Sequence, residues 1–200
     1  MERILEICDS QLYNYDGVQC DMKSLVNAIA LQGDDLIGVE LGVWRAESFC
    51  TLLQCVPNIK TLYGVDNWQP YIDYIKDPYD GTPTDLSTDR EIEYNKFISY
   101  HHIKYCANSH KAQILEMDSN EAVDKFDDES IDFIFIDTYY TKEQAERDLD
   151  VWYPKVKKGG LFMGHDYDAN IIKQVVHEHR EKNNVTAPLA TYDKCWAWRK

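Results

Sequence analysis

The stretch IDFIFIDTYYTKEQAERDLDVWYPKVKKGGLFMGHDYD, residues 131–168, holds the pattern that decides the fold. Its first seven residues and GLFMGHD at 160–166 are nearly continuous apolar runs of strand length, as strands covered on both faces require. Between them Thr141 and Gln144 fit a T-x-x-Q capping box, and Ala145, Leu149, Trp152 and Val156 repeat on one helical face. Pro154 and the KKGG at 157–160 read as the stop signal of that helix. Strand, crossover helix and strand make a parallel βαβ unit.

Working outward, LIGVEL (36–41), TLYGVD (61–66) and AQILEM (112–117) are further short strands with helical patterns between them. Residues 89–106 read as a helix with Ile92, Phe97, Ile98 and Tyr105 facing inward. Residues 169–181 read as another, with Ile172, Val175, Val176 and His179 near one side, and TYDKCWAWRK (191–200) alternates like a closing strand. The expected architecture is a doubly wound α/β fold: a mostly parallel, seven-stranded, Rossmann-like sheet with helices on both faces and an antiparallel C-terminal hairpin edge. At 200 residues one domain is the natural reading. It carries an N-terminal helical segment over 1–33 and a long loop over 67–88, where Pro70, Pro78, Gly81 and Pro83 interrupt several aromatics.

Charge narrows the partners. With 35 acidic and 21 basic residues the net charge is −14, a field that repels nucleic acid, whose binding draws on Lys and Arg displacing counterions. KVKK (155–158) and the terminal WRK are the dense basic clusters and read as solvated ends. The six cysteines are scattered without a C-x-x-C pair, so they read as reduced thiols. The first twenty residues lack the basic start and apolar run of a signal peptide, and no run approaches the roughly 18 apolar residues that span a bilayer. The expectation is a cytoplasmic protein without membrane association.

In open parallel sheets ligands bind beyond the carboxyl ends of the strands. Here those ends carry Glu40 before Leu41 and Gly42, then Asp66, Asp118, Asp137, and His165 with Asp166. Asp66, about 24 residues beyond the Gly42 turn, has the spacing of a carboxylate that holds ribose hydroxyls. The turn ELGVWRAES departs from G-x-G-x-x-G, with Trp44 and Ala46 where small residues let a pyrophosphate approach. This disfavours an NAD-dependent oxidoreductase and suits a nucleoside without phosphates.

On these residues the sequence resembles class I S-adenosylmethionine-dependent methyltransferases, specifically the branch of small-molecule and sugar O-methyltransferases similar to the macrocin type. The resemblance runs from about Leu36 through Trp198 and is carried by IGVELGVWRAES (37–48), YGVDNW (63–68), MDSNEAV (117–123), DDESIDFIFID (127–137) and ERDLDVWYPKVKKGGLFMGHDYD (146–168). It implies S-adenosyl-L-methionine as cofactor. Glu40 and Gly42 would line its methionine end, Asp66 its ribose hydroxyls, Asn67 and Trp68 its adenosine, and Asp118 and Ser119 its adenine, with Asp137 also lining the pocket. It further implies a divalent ion, magnesium or similar, on Asp137, His165 and Asp166, although a histidine in that set suits a transition metal better.

O-methyl transfer needs the acceptor hydroxyl deprotonated. Tyr139 and Tyr140 stand where relatives carry an acid or histidine, and a phenol is a poor base at neutral pH. His165, tuned by Asp137 or Asp166, is therefore the candidate base, with Tyr140 counted beside it in the catalytic group. The aromatic loop 67–88 and the two tyrosines would form the pocket for a small-molecule or glycan acceptor, with homo-oligomerisation open. Two rivals are an N-methyltransferase, whose signature NWQPY (67–71) mimics after the wrong strand, and a fold that binds cofactor without transferring.

Overall fold

The structure, a computed structural model, describes residues 22–69, 89–138, 141–192 and 194–200. The elements are α1 (Met22–Ala30), β1 (Leu36–Leu41), α2 (Glu47–Cys55), β2 (Ile59–Asp66), α3 (Asp89–Tyr105), β3 (Ala112–Glu116), α4 (Ser119–Ala122), β4 (Ile131–Ile136), α5 (Lys142–Trp152), β5 (Val156–Gly164), α6 (Asn170–Lys182), β6 (Ala190–Tyr192) and β7 (Cys195–Arg199). They form a seven-stranded sheet of order β3-β2-β1-β4-β5-β7-β6. The first five pair in parallel, and β7 runs antiparallel to both β5 and β6. The expected C-terminal hairpin is present, with the later strand lying inside and β6 at the edge.

Alternation along β4 explains the three layers. Phe133 and Phe135 face α1, α2 and α3, where Met22, Leu25, Phe49, Leu52 and Ile92 close one core. Ile134 and Ile136 face α5 and α6, where Leu149, Trp152, Val175 and Val176 close the other. Both faces are covered, which is why β4 reads as a nearly continuous apolar run, broken only at Asp132. Tyr153, Phe162, His179, Trp196 and Trp198 pack in edge-on, tilted and stacked pairs at the β5–β7 end. Burial holds the His179 imidazole below its usual pKa, against the pull of the Asp150 carboxylate 3.1 Å away.

Three local expectations are corrected. KKGG does not stop a helix: α5 ends at Trp152, a 3₁₀ turn spans Tyr153–Lys155, and the glycines lie within β5. There Ile131 pairs with Val156 but Phe133 with Leu161, a bulge in which Gly159 takes φ +81° and donates its N–H to the Lys200 carbonyl, while the Lys200 N–H donates to the Gly160 carbonyl. Along α3, Phe97 and Tyr105 are exposed at 64% and 70%, while Ile92, Asn95, Ser99 and Ile103 face inward. Polar Asn95 and Ser99 on the buried stripe displaced the apparent phase. The end strand does not alternate in burial, because Cys195 to Trp198 are covered on both faces.

The basic residues Lys155, Lys157 and Lys158 pair with Asp128, Asp132 and Glu129, as a solvated strand end would. Among the described residues no helix is long and apolar enough to cross a membrane, and Cys50, Cys55, Cys106 and Cys195 are buried. Residues 1–21 of the N-terminal segment lie outside the described residues.

Gly164, at the end of β5, leaves room for a neighbour: a Cβ there would sit 2.3 Å from the Trp196 ring and 2.7 Å from the Ile136 carbonyl oxygen. Gly164→Ala is expected to cost about 1–3 kcal/mol through overpacking. Urea denaturation checks this, and an unshifted midpoint refutes it.

Candidate active site at the strand ends

Sheet order lays the carboxyl ends out as Asp118, Asp66, Glu40, Asp137 and then His165 with Asp166, following β3, β2, β1, β4 and β5. Strand order reverses between β1 and β4, so the crevice opens there. At this seam the two chains nearly touch. Asp137 N–H donates to the Leu41 carbonyl at 2.9 Å, and a Cβ on Gly42 (φ +83°) would lie 2.0 Å from the Asp137 carbonyl oxygen. Only glycine fits this combination of backbone conformation and proximity.

The turn after Gly42 is held by a carboxylate. Asp66 Oδ2 accepts the Trp44 N–H and Oδ1 accepts the Trp68 N–H, each at 2.8 Å. Burial pushes the Asp66 carboxyl above its ordinary pKa, and the backbone donors Trp44, Trp68, Val43 and Asn67 pull it back. Each oxygen keeps acceptor capacity for a further donor. Trp44 and Ala46 adopt left-handed backbone (φ 49° and 64°), and Ala46 caps α2 in that conformation without a side-chain bond. Such positions cost on the order of 1–3 kcal/mol and persist where the surroundings hold them. Here the holders are Asp66, Asn95 accepting from Arg45 Nε at 2.7 Å, and His102 Nδ1 at 2.8 Å from the Arg45 carbonyl oxygen.

Trp68 is 5% exposed, packs near Tyr100, and donates its indole N–H to the Trp44 carbonyl at 3.0 Å. In this arrangement it braces the turn rather than presenting an open stacking face. Asn67 folds back on its own loop, accepting the Gln69 N–H at 3.1 Å.

Glu40 is fully buried beneath the turn. Ser48 donates to its Oε1 at 2.5 Å, while its Oε2 meets no hydrogen-bond partner. Burial raises its carboxyl well above the ordinary range; the Ser48 bond opposes this, and the charges of Asp137 and Asp66 add to it. A buried acceptor without a donor costs about 1–3 kcal/mol, so Glu40 is set up for a cationic or donor ligand.

After β3, Asp118 caps α4 by accepting the Asn120 N–H at 2.9 Å. Ser119 turns away from solvent and donates to Asp148 at 2.7 Å. Asp148, fully buried on α5, was not anticipated from the sequence. It also accepts from Thr138 Oγ1 at 3.1 Å and from Gln144 Nε2 at 3.1 Å. The Thr141 cap is as expected, accepting the Gln144 N–H at 3.0 Å. The second half of the box is replaced: the Gln144 amide points to Asp148 and Ser119. The legible signal was an acid on the Ala145–Leu149–Trp152 stripe.

At the other end, His165 Nδ1 lies 3.4 Å from Asp137 Oδ1 and 3.1 Å from Asp166 Oδ1. One ligand atom from each of the three lies within 4.8 Å of the others. Two carboxylate oxygens and an imidazole nitrogen form a mixed donor set that fits a divalent transition ion better than a purely oxygen-seeking one. Asp166 has φ +56°, which turns the chain as it leaves β5. Tyr140, Tyr139 and residues 70–88 of the expected acceptor loop lie outside the described residues.

The model of a family described as "Methyltransferase domain" matches residues 39–167, well over half of the chain. The chain belongs to this methyltransferase family. No curated protein matches it. Among solved structures it is similar to the O-methyltransferase NovP, at 18% identity and a TM-score of 0.62, over 89% of this chain and 80% of that one. An O-methyltransferase from Bacillus cereus in complex with SAH is similar at 16% identity and a TM-score of 0.60, over 100% and 90%. TomG, an O-methyltransferase from Streptomyces achromogenes involved in tomaymycin synthesis and in complex with SAM, matches at 11% identity and a TM-score of 0.62, over 98% and 89%. At such identities the likeness carries the fold: this methyltransferase-family chain has the class I sheet and its strand-end crevice.

Glu40→Gln tests the electrostatics of the crevice. A carboxyl whose folded-state pKa is raised contributes stability that is fully present below the ordinary value of 4.5 and lost as pH rises through the folded value. The variant lacks that loss, so its stability relative to wild type is expected to climb as pH increases above about 4.5. Urea midpoints from pH 5 to 9 check it; parallel curves for the two proteins would contradict the assignment.

Proposed function

We propose that the chain transfers a methyl group from S-adenosylmethionine to a hydroxyl of a small-molecule or glycan acceptor, with a divalent ion at the acceptor side. The observation that carries this reading is the unpartnered Glu40 Oε2, buried in a crevice whose other strand-end groups are mainly carboxylates. That environment complements a cation carrying several donors, and the cofactor has an ammonium, a sulfonium and two ribose hydroxyls.

Each residue then has a task. Glu40 accepts from the ammonium at the methionine end, beneath Gly42. Asp66, already holding the turn, accepts the ribose hydroxyls with its remaining lone pairs, and Asn67 and Trp68 bound the adenosine side. Asp118 and Ser119 form the corner at the adenine, and Asp137 bounds the crevice toward β5. The cofactor supplies a methyl group already activated on sulfur, so the protein's contribution is alignment and deprotonation.

Asp137, His165 and Asp166 would hold the ion, whose chemistry is to acidify a bound hydroxyl. His165 accepts the acceptor's proton where no ion does this work, since an imidazole exchanges protons near neutrality. Tyr140 and the loop over 67–88 would contact the acceptor. The buried thiols of Cys50 and Cys106 are in keeping with a reducing, cytoplasmic setting.

His165→Ala is expected to lower methyl transfer by about 10²–10⁴-fold while leaving S-adenosylhomocysteine affinity by calorimetry within a factor of about two. Turnover equal to wild type removes His165 from the mechanism. Absence of any heat with the folded wild-type chain removes the cofactor reading altogether.

A further inference from the structure

Among the described residues the proposed chemistry leaves the buried carboxyl of Asp148 unused. Asp148 lies on α5 with no exposed surface, and every side-chain group bonded to it donates: Ser119 Oγ, Thr138 Oγ1 and the Gln144 amide, at 2.7 to 3.1 Å. Ionised carboxylates are acceptors only, so four such bonds to its two oxygens describe a carboxylate anion held by neutral dipoles. Burial favours the protonated form and these donors oppose it. A helix that needed only packing at this position would carry an apolar residue, since a buried acid is costly unless fully satisfied.

The donors come from separate places. Ser119 follows β3, at the corner capped by Asp118; Thr138 follows β4, directly after Asp137; Gln144 is on the first turn of α5. Strands β3 and β4 are not neighbours, because β2 and β1 lie between them. Asp148 is thus a buried, direct polar tie between the strand end assigned to adenine and the one assigned to methyl transfer.

We propose that Asp148 is a positioning residue, which by holding Ser119 and Thr138 together sets the adenine corner in register with the Asp137 strand end. This rests on the methyl-donor reading above. It makes a demand that a purely structural role does not: removing the Thr138 end of the tie, on the strand end that is not assigned to adenine, must weaken binding of an adenine-bearing ligand.

The test uses the full chain and two probes, S-adenosylhomocysteine and adenosine, the second of which lacks the amino acid portion. Asp148→Asn replaces one acceptor by a donor that faces existing donors, and Thr138→Val removes the hydroxyl that donates to Asp148 while keeping shape. Both are expected to weaken S-adenosylhomocysteine and adenosine by the same factor, on the order of tenfold for Asp148→Asn and about threefold for Thr138→Val. With any acceptor that is turned over, the change falls on the cofactor KM, and kcat at saturating cofactor moves by less than about threefold. Ser119→Ala added to Asp148→Asn costs nothing further, as expected of residues acting as one unit.

If Asp148→Asn fails to fold, Thr138→Val carries the test alone. Adenosine affinity unchanged in Thr138→Val overturns the proposal, as does a lowered melting temperature with intact ligand affinity in Asp148→Asn. A wild-type chain that binds neither probe overturns the methyl-donor reading itself and this inference with it.

Discussion

The contact between Gly42 and the Asp137 carbonyl governs the geometry of everything above the sheet. Parallel strands β1 and β4 bring their carboxyl ends side by side, and the chain leaving β1 must turn without a side chain to avoid the backbone leaving β4. The tightness of that seam forces the turn outward over Glu40. It also creates a need for something to hold Trp44 and Ala46 in left-handed conformations, which Asp66, Trp68 and α3 supply.

The crevice gathers like charges where water is scarce. Glu40, Asp66 and Asp148 are all raised in pKa, in each case chiefly by burial. They differ in how burial is offset. Asp66 is offset by backbone donors and Asp148 by side-chain donors, whereas Glu40 has one hydroxyl and an open oxygen. A protein selected only for stability would fill that gap; one that binds a cation leaves it.

The architecture was legible in sequence because strands covered on both faces are largely apolar, and LIGVEL, IDFIFID and GLFMGHD are nearly continuous apolar runs of strand length. The row of strand-end acids was legible for the same topological reason. What escaped was internal polarity. Asn95 and Ser99 occupy buried positions of α3 and shifted the apparent face by a residue or two. Asp148 sat on an apolar stripe, where an acid is usually taken for a boundary of the face rather than its centre. The KKGG segment was misread because glycines that end helices also permit strand bulges, and only pairing with the chain terminus separates the two.

The rims of the sheet have a separate consequence. Among the described residues β6, three residues long, and β3, five residues long, are the outermost strands. An incoming polypeptide seeking to extend the ladder would find only a few unpaired amides at either margin. The long strands, where amyloid-like stacking would be most favourable, are all enclosed between neighbours.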